Sequence, residues 1–224
     1  MLYTGNKPTA GAQPCFFFKR AKDRKETLVF RENAMKLTYL PGTTLPLKDQ
    51  DDCKHLLDGI FAAGGLVLSQ VTLLLGVEGY SIQNWIKRKF VSPPVAKKYS
   101  RGQFCRLAII NLLKDSLSIS EIIGLLSYVN GQLDDERDDI VDDESFYEYF
   151  VMTMQASPRR TAECYEEAAQ RVLADYQEPI EGGKDRLISA LTVMCIAYSS
   201  SILQRQAKER IRIIQGSAVN NPVM

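Results

Sequence analysis

The sequence predicts a mainly α fold, a helix-turn-helix domain followed by a C-terminal helical bundle, and three observations carry that prediction. Two capping boxes, Ser100 with Gln103 and Ser118 with Glu121, each stand before a run whose apolar residues return every three or four positions. Two short helical periods between residues 68 and 89 meet at Gly76, the spacing of a helix-turn-helix. From Lys184 to Gln215 no proline or glycine interrupts a helical pattern whose length at ~1.5 Å per residue is about 48 Å.

The 224 residues, 45% hydrophobic and 25% charged with formal charge +1, have the composition of a soluble globular protein and allow one large domain or two small ones. Five cysteines, at 15, 53, 105, 164 and 195, form no CxxC pair. That spacing supports neither a disulfide framework nor a zinc site, so reduced, mostly buried thiols and a cytoplasmic protein are expected. The start, MLYTGNKPTA, lacks the basic and apolar regions of a signal peptide. Leu187 to Gln204 holds no formal charge and approaches the length of a membrane span, but six serine, threonine and tyrosine residues within it favour a buried core helix. No membrane is expected.

Taken in order, residues 1–49 form an N-terminal extension. Its short runs Cys15 to Phe18, Thr27 to Phe30 and Lys36 to Leu40 are separated by charged or Gly/Pro turns and predict a small N-terminal β-hairpin. Residues 50–131 form the helix-turn-helix domain. Its first helix carries His55, Leu56, Ile60 and Phe61 and ends near Gly64-Gly65; helices at Leu68 to Leu75 and Tyr80 to Lys89 follow, and Pro93-Pro94 breaks the chain. Beyond the two capped helices lies DDERDDIVDDES, read as an acidic linker, 132–145. Residues 146–224 complete the chain with an aromatic helix at Phe146 to Thr153, a helix opened by Ser157-Pro158 and running to Tyr176, and the long final helix with Leu187, Leu191, Met194, Tyr198 and Ile202 on its buried stripe.

The charge distribution is less ordinary than the total. No carboxylate occurs from Gly79 to Lys114, and residues 81–100 alone hold five Lys/Arg. On the second helix of the pair, Ile82, Trp85 and Ile86 fall on one side, and Tyr80, Gln83, Asn84 and Lys87 on the other. Glutamine and asparagine amides can pair with adenine N6 and N7 in the major groove, while Lys87 and Arg88 lie within reach of phosphates. Residues 90–99 are expected to fold back as a β wing, its tip at Pro93-Pro94 and its return arm carrying Lys97 and Lys98. A polyanionic partner, duplex DNA, explains the run.

GVEGYSIQNWIKRKFV, then KKYS, then FCRLAIINLLKDSLSISEIIGLL resembles the winged helix-turn-helix domain of MerR-family transcription regulators. More closely, IQNWIKRKFVSPPVAKKYS with LKDSLSISEI is similar to a MerR-like bacterial family classified as domain of unknown function 1836. The resemblance spans roughly residues 50–131. It implies that Ser81, Gln83 and Asn84 begin the recognition helix, that Lys87, Arg88 and Lys89 end it, and that Lys97, Lys98 and Tyr99 lie on the wing's return arm beside the DNA backbone. In the DNA-binding reading Arg101, at the next helix start, is expected to hold phosphate with them. MerR regulators usually carry Arg at the position of Gln83 and often Gly at that of Lys89.

An enzyme is not expected. His55 is the lone histidine and lies between Cys53 and Asp58 without a nucleophile motif, and neither glycine pair has phosphate-loop spacing. No cofactor or metal is called for. The expected function is transcription regulation by a homodimer that reads duplex DNA. Two other readings stay open: an interaction adaptor whose acidic residues 134–144 dock on the wing, and a bundle enclosing an effector pocket among Phe146, Tyr147, Tyr149, Phe150 and Tyr198.

Overall fold

Helix starts in this chain are set by side chains that accept amide protons the first turn leaves without partners. The computed structural model describes residues 37–47, 52–131 and 139–219, with side chains to 215. Asp52 caps α1 (Cys53–Phe61), accepting the Lys54 N–H at 3.0 Å. α2 (Leu68–Leu75) ends at Gly76, whose φ of 64° suits a residue without Cβ. α3 (Gly79–Lys87) follows within four residues.

Both capping boxes close in full. At α4 (Arg101–Leu113) the Gln103 N–H donates to Ser100 Oγ at 3.2 Å and the Ser100 N–H to Gln103 Oε1 at 2.9 Å. At α5 (Ile119–Asn130) the Ser118 N–H donates to Glu121 Oε2 at 2.7 Å. α6 (Asp143–Ala156) is longer than the aromatic helix read from sequence, because Asp142 caps it by accepting the Ser145 N–H at 2.8 Å. Part of the acidic stretch is thus a helix start, and Ile140 and Val141 just before it are buried.

Ser157 does not open the next helix. It ends α6, is buried, and turns its hydroxyl to the Arg159 carbonyl at 2.6 Å. α7 (Ala162–Val172) starts four residues later than the Ser-Pro pair suggests, capped by Thr161. α8 (Gly183–Val219) has 37 residues, about 55 Å at the standard rise.

The chain is mainly α, with eight helices among the described residues and isolated β-bridges in place of a sheet. The expected runs at Cys15 to Phe18 and Thr27 to Phe30 lie outside the described residues. The end of the third run pairs locally: Tyr39 bridges Pro46 around a tight turn. That turn lies against α4 so closely that a Cβ on Gly42 would sit 2.4 Å from the Ala108 carbonyl oxygen.

α4 organises the core. From Phe104 to Leu113 every residue except Asn111 is buried, and the helix touches α2, α5, α6 and α8. One hydrophobic cluster runs from Leu57 of α1 through α4 to Met194 of α8. Cys53, Cys105 and Cys195 are buried free thiols in it, and burial pushes the Cys53 thiol up to about 12. Among the described residues one helical stretch, Gly183–Gln215, is long and apolar enough to cross a membrane, and half of its most apolar 18-residue window is buried within the protein. Leu187, Leu191 and Met194 lie on that buried side, with Tyr198 and Ile202 half-buried.

Candidate nucleic-acid interface

α3 is amphipathic in the sense its spacing predicts. Ile82 is fully buried, with Trp85 and Ile86 half-buried against the core. Gln83, Asn84, Lys87 and Arg88 are exposed, as is Tyr80 at 73%; Ser81 is partly covered. The end of the helix is specific. Lys89 takes φ of 60°, its N–H donates to the Ile86 carbonyl at 2.9 Å, and the Phe90 N–H donates to the Trp85 carbonyl at 2.9 Å. This is the doubly bonded C-terminal turn that usually places glycine in the left-handed position. Arg88 lies over the Phe90 ring, 4.8 Å from its centroid.

A minimal hairpin follows where the sequence predicts a wing, and its tip differs from the sequence reading. Pro93 and Pro94 lie in the outgoing arm; the reversal is made by Ala96 and Lys97, at φ 49° and 64°, between the bridged residues Val95 and Lys98. Two successive left-handed residues make the turn type that matches strand twist, a role normally filled by Asn-Gly. The return arm pairs with the segment before α2 through Leu66 N–H to Tyr99 O, 2.9 Å, and Tyr99 N–H to Leu66 O, 2.7 Å. Gly65 permits this approach, since a Cβ there would lie 2.7 Å from the Tyr99 carbonyl oxygen. On the outgoing side Gln103 Nε2 donates to Ser92 O, Ser92 Oγ and Pro93 O at 2.9–3.0 Å, so one side chain both caps α4 and holds the hairpin arm.

Of the eight cations of residues 79–114, Lys114 is exposed at the end of α4, and the other seven fall into different settings. Arg106 is buried, its Nε donating to the Phe90 carbonyl at 2.8 Å and its Nη1 to Asp143 at 3.0 Å. Burial outweighs that arginine and raises the Asp143 carboxyl. Arg101 is ringed by Asp58, Glu144 and Glu148, bonding Asp58 and Glu148 and lying 3.3 Å from Glu144. Burial pushes the Glu144 and Glu148 carboxyls up, and Arg101 opposes it. By contrast Lys87, Arg88, Lys89, Lys97 and Lys98 are exposed, and no described carboxylate pairs with any of them.

The structure therefore brings Gln83, Asn84, Lys87, Arg88, Lys97 and Lys98 to the surface along α3 and the hairpin that follows it. It sets Tyr99 and Arg101 apart. Tyr99 is 3% exposed and fixes the return arm through its backbone, and Arg101 ties α4 to α1 and α6. Sequence reasoning missed the fixing roles of Gln103 and Gly65; the capping box at Ser100 already marked Gln103, whereas Gly65 gave no signal beyond a glycine pair. The described acids Asp143 and Glu144 dock on Arg106 and Arg101 of α4. The aromatics expected around an effector are packed: Phe146, Tyr147 and Phe150 are fully buried, with Phe150 edge-on to Tyr198 at 5.8 Å.

Residues 76–150 match the model of a family described as Domain of unknown function (DUF1836). The matched third of the chain opens at Gly76, takes in α3, the hairpin, α4 and α5, and ends inside α6 beyond the acidic partners of Arg101 and Arg106. No curated protein and no solved structure matches the chain.

Proposed function

We propose that this chain is a non-enzymatic regulator of MerR-like type that reads duplex DNA, with α3 in the major groove and the 95–98 hairpin along the adjacent backbone. The observation that supports this most is the grouping, on two consecutive elements, of outward amides and of cations that no described carboxylate pairs. Gln83 and Asn84 have the donor and acceptor pattern for base edges. Lys87, Arg88, Lys89, Lys97 and Lys98 supply phosphate contacts, the sequence-independent share of affinity. Ser81 lies at the helix start, beside the groove edge. Tyr99 and Arg101 act here by positioning the wing and α4.

A further observation favours a charged ligand on this surface. Among the described residues the non-glycine positions with positive φ are Lys89, Ala96 and Lys97, all within the cationic stretch. Backbone strain of this kind, of order 1–3 kcal/mol per residue, collects where function fixes a side chain in place.

Selection of bound duplexes from a random library tests the reading. The expected result is an enriched site, with Asn84→Ala costing about 1–3 kcal/mol and relaxing preference at one base pair, and Lys97→Ala weakening all sequences alike. No enrichment, with binding of proteins retained at the same surface, would transfer this surface to an adaptor role.

A further inference from the structure

A cavity of about 880 Å³ opens where the first turns of α4 and α6 meet the end of α5 and Lys54 of α1. That volume lies in the range of organic ligand sites and far above the space of one water or ion. Acids prevail on its wall, with Asp139, Asp142, Asp143, Glu144 and Glu148 set against Lys54, Arg101 and Arg106. The arginines are already committed: Arg106 bonds Asp143 and the Phe90 carbonyl, and Arg101 is divided among Asp58, Glu144 and Glu148. Burial raises the Asp143, Glu144 and Glu148 carboxyls even so, because these cations do not outweigh the loss of water around them.

Asn130 turns this acidic wall into a site. It is the last residue of α5, is only 7% exposed, and lines the cavity, yet its Oδ1 has no hydrogen-bond partner among the described residues. A buried acceptor left without a donor is costly, and an N–H placed in the cavity removes that cost. The end of α5 also carries the negative pole of its helix, which favours a positive ligand. The two helix N-termini at the cavity would favour an anion, but both are filled. Ser100 and Gln103 close the start of α4, and Asp142 caps α6 with Asp143 and Glu144 in its first turn. The wall therefore fits a cation with N–H donors. Among the described residues no group of three or more His, Cys, Asp or Glu could hold a metal ion, and the acids are strung out between residues 139 and 148. A ligand that matches them carries its charge at several points along a chain.

We propose that this cavity binds a linear aliphatic polyamine, one ammonium donating to Asn130 Oδ1 and the others neutralised by the carboxylates along the start of α6. The site belongs to the joint of α4, α5 and α6 and stands apart from the nucleic-acid reading. Isothermal titration calorimetry of the full chain with spermidine, without nucleic acid and in about 150 mM salt to screen surface charge, is expected to show a saturable site, one per chain. Asn130→Leu should weaken it by about tenfold, since it removes an acceptor from a charged donor. Glu144→Gln, which removes charge at the cavity rim, should weaken it by about fivefold. Exchanging Glu166 and Glu167 of α7, both exposed and outside the cavity, for glutamine should leave binding unchanged. Circular dichroism checks that each variant is folded, and if Asn130→Leu is not, Glu144→Gln decides. Magnesium chloride at matched ionic strength should not displace spermidine. Absence of a saturable site, displacement by magnesium, or parental affinity in the folded cavity variants would overturn the inference.

Discussion

Lys89 is a lysine where the backbone prefers glycine. Its φ of 60° costs roughly 1–2 kcal/mol for a residue with a Cβ, offset in a glycine variant by about 0.5–1 kcal/mol of added unfolded-state freedom. Lys89→Gly is therefore expected to stabilise the fold by on the order of 0.5 kcal/mol while reducing DNA affinity. Lys89→Ala keeps the strain, so it should reduce affinity without stabilising. Urea midpoints and fluorescence anisotropy of the two variants separate the terms, and a Lys89→Gly protein that binds as tightly as the parent would remove any functional reason for the strain. The same trade applies to Lys97, whose cation lies at the tip of a turn that Asn-Gly would form with less strain.

At the scale of elements, α4 is the part on which the others are aligned. Its N-terminal turn holds the hairpin through Gln103, and its buried Arg106 joins the hairpin base at Phe90 to the start of α6 at Asp143. Removing one partner leaves a buried charge, so Asp143→Ala should destabilise by about 3–5 kcal/mol. The double variant Arg106→Met with Asp143→Leu exchanges the pair for apolar packing and should recover most of that loss. Thermal melts of the single and double variants check this; equal losses in both would show that the ion pair does not govern the α4–α6 contact. Helix starts with reciprocal caps were legible in the sequence, because Ser100/Gln103 and Ser118/Glu121 act within one turn. The hairpin tip was not, since Ala96-Lys97 lacks the usual turn residues and adopts positive φ only within a hairpin fixed by Leu66 and Gln103. Ser157-Pro158 misled for a related reason: the hydroxyl of Ser157 is used at the end of α6, which leaves the cap of α7 to Thr161.

Across the whole molecule a net charge of +1 conceals a separation of charge. Acids from α1 and α6 neutralise Arg101 and Arg106 inside the fold, whereas the five cations of α3 and the hairpin have no carboxylate partner among the described residues. The acid-free run was visible in the sequence, as was the outward face of α3. The division of its cations was not, because Asp58 and Glu148 lie 43 and 47 residues from Arg101 and only the tertiary fold unites them. The central claim is that these five remaining cations face the phosphates of a duplex, and the salt dependence of binding tests it most directly. Anisotropy titrations between 50 and 200 mM salt should give a log–log slope of roughly −4 to −5 per chain, from about 0.9 per phosphate contact, and Lys97→Ala should reduce that slope by about one. A slope near zero, or one unchanged when Lys97 is removed, would contradict it.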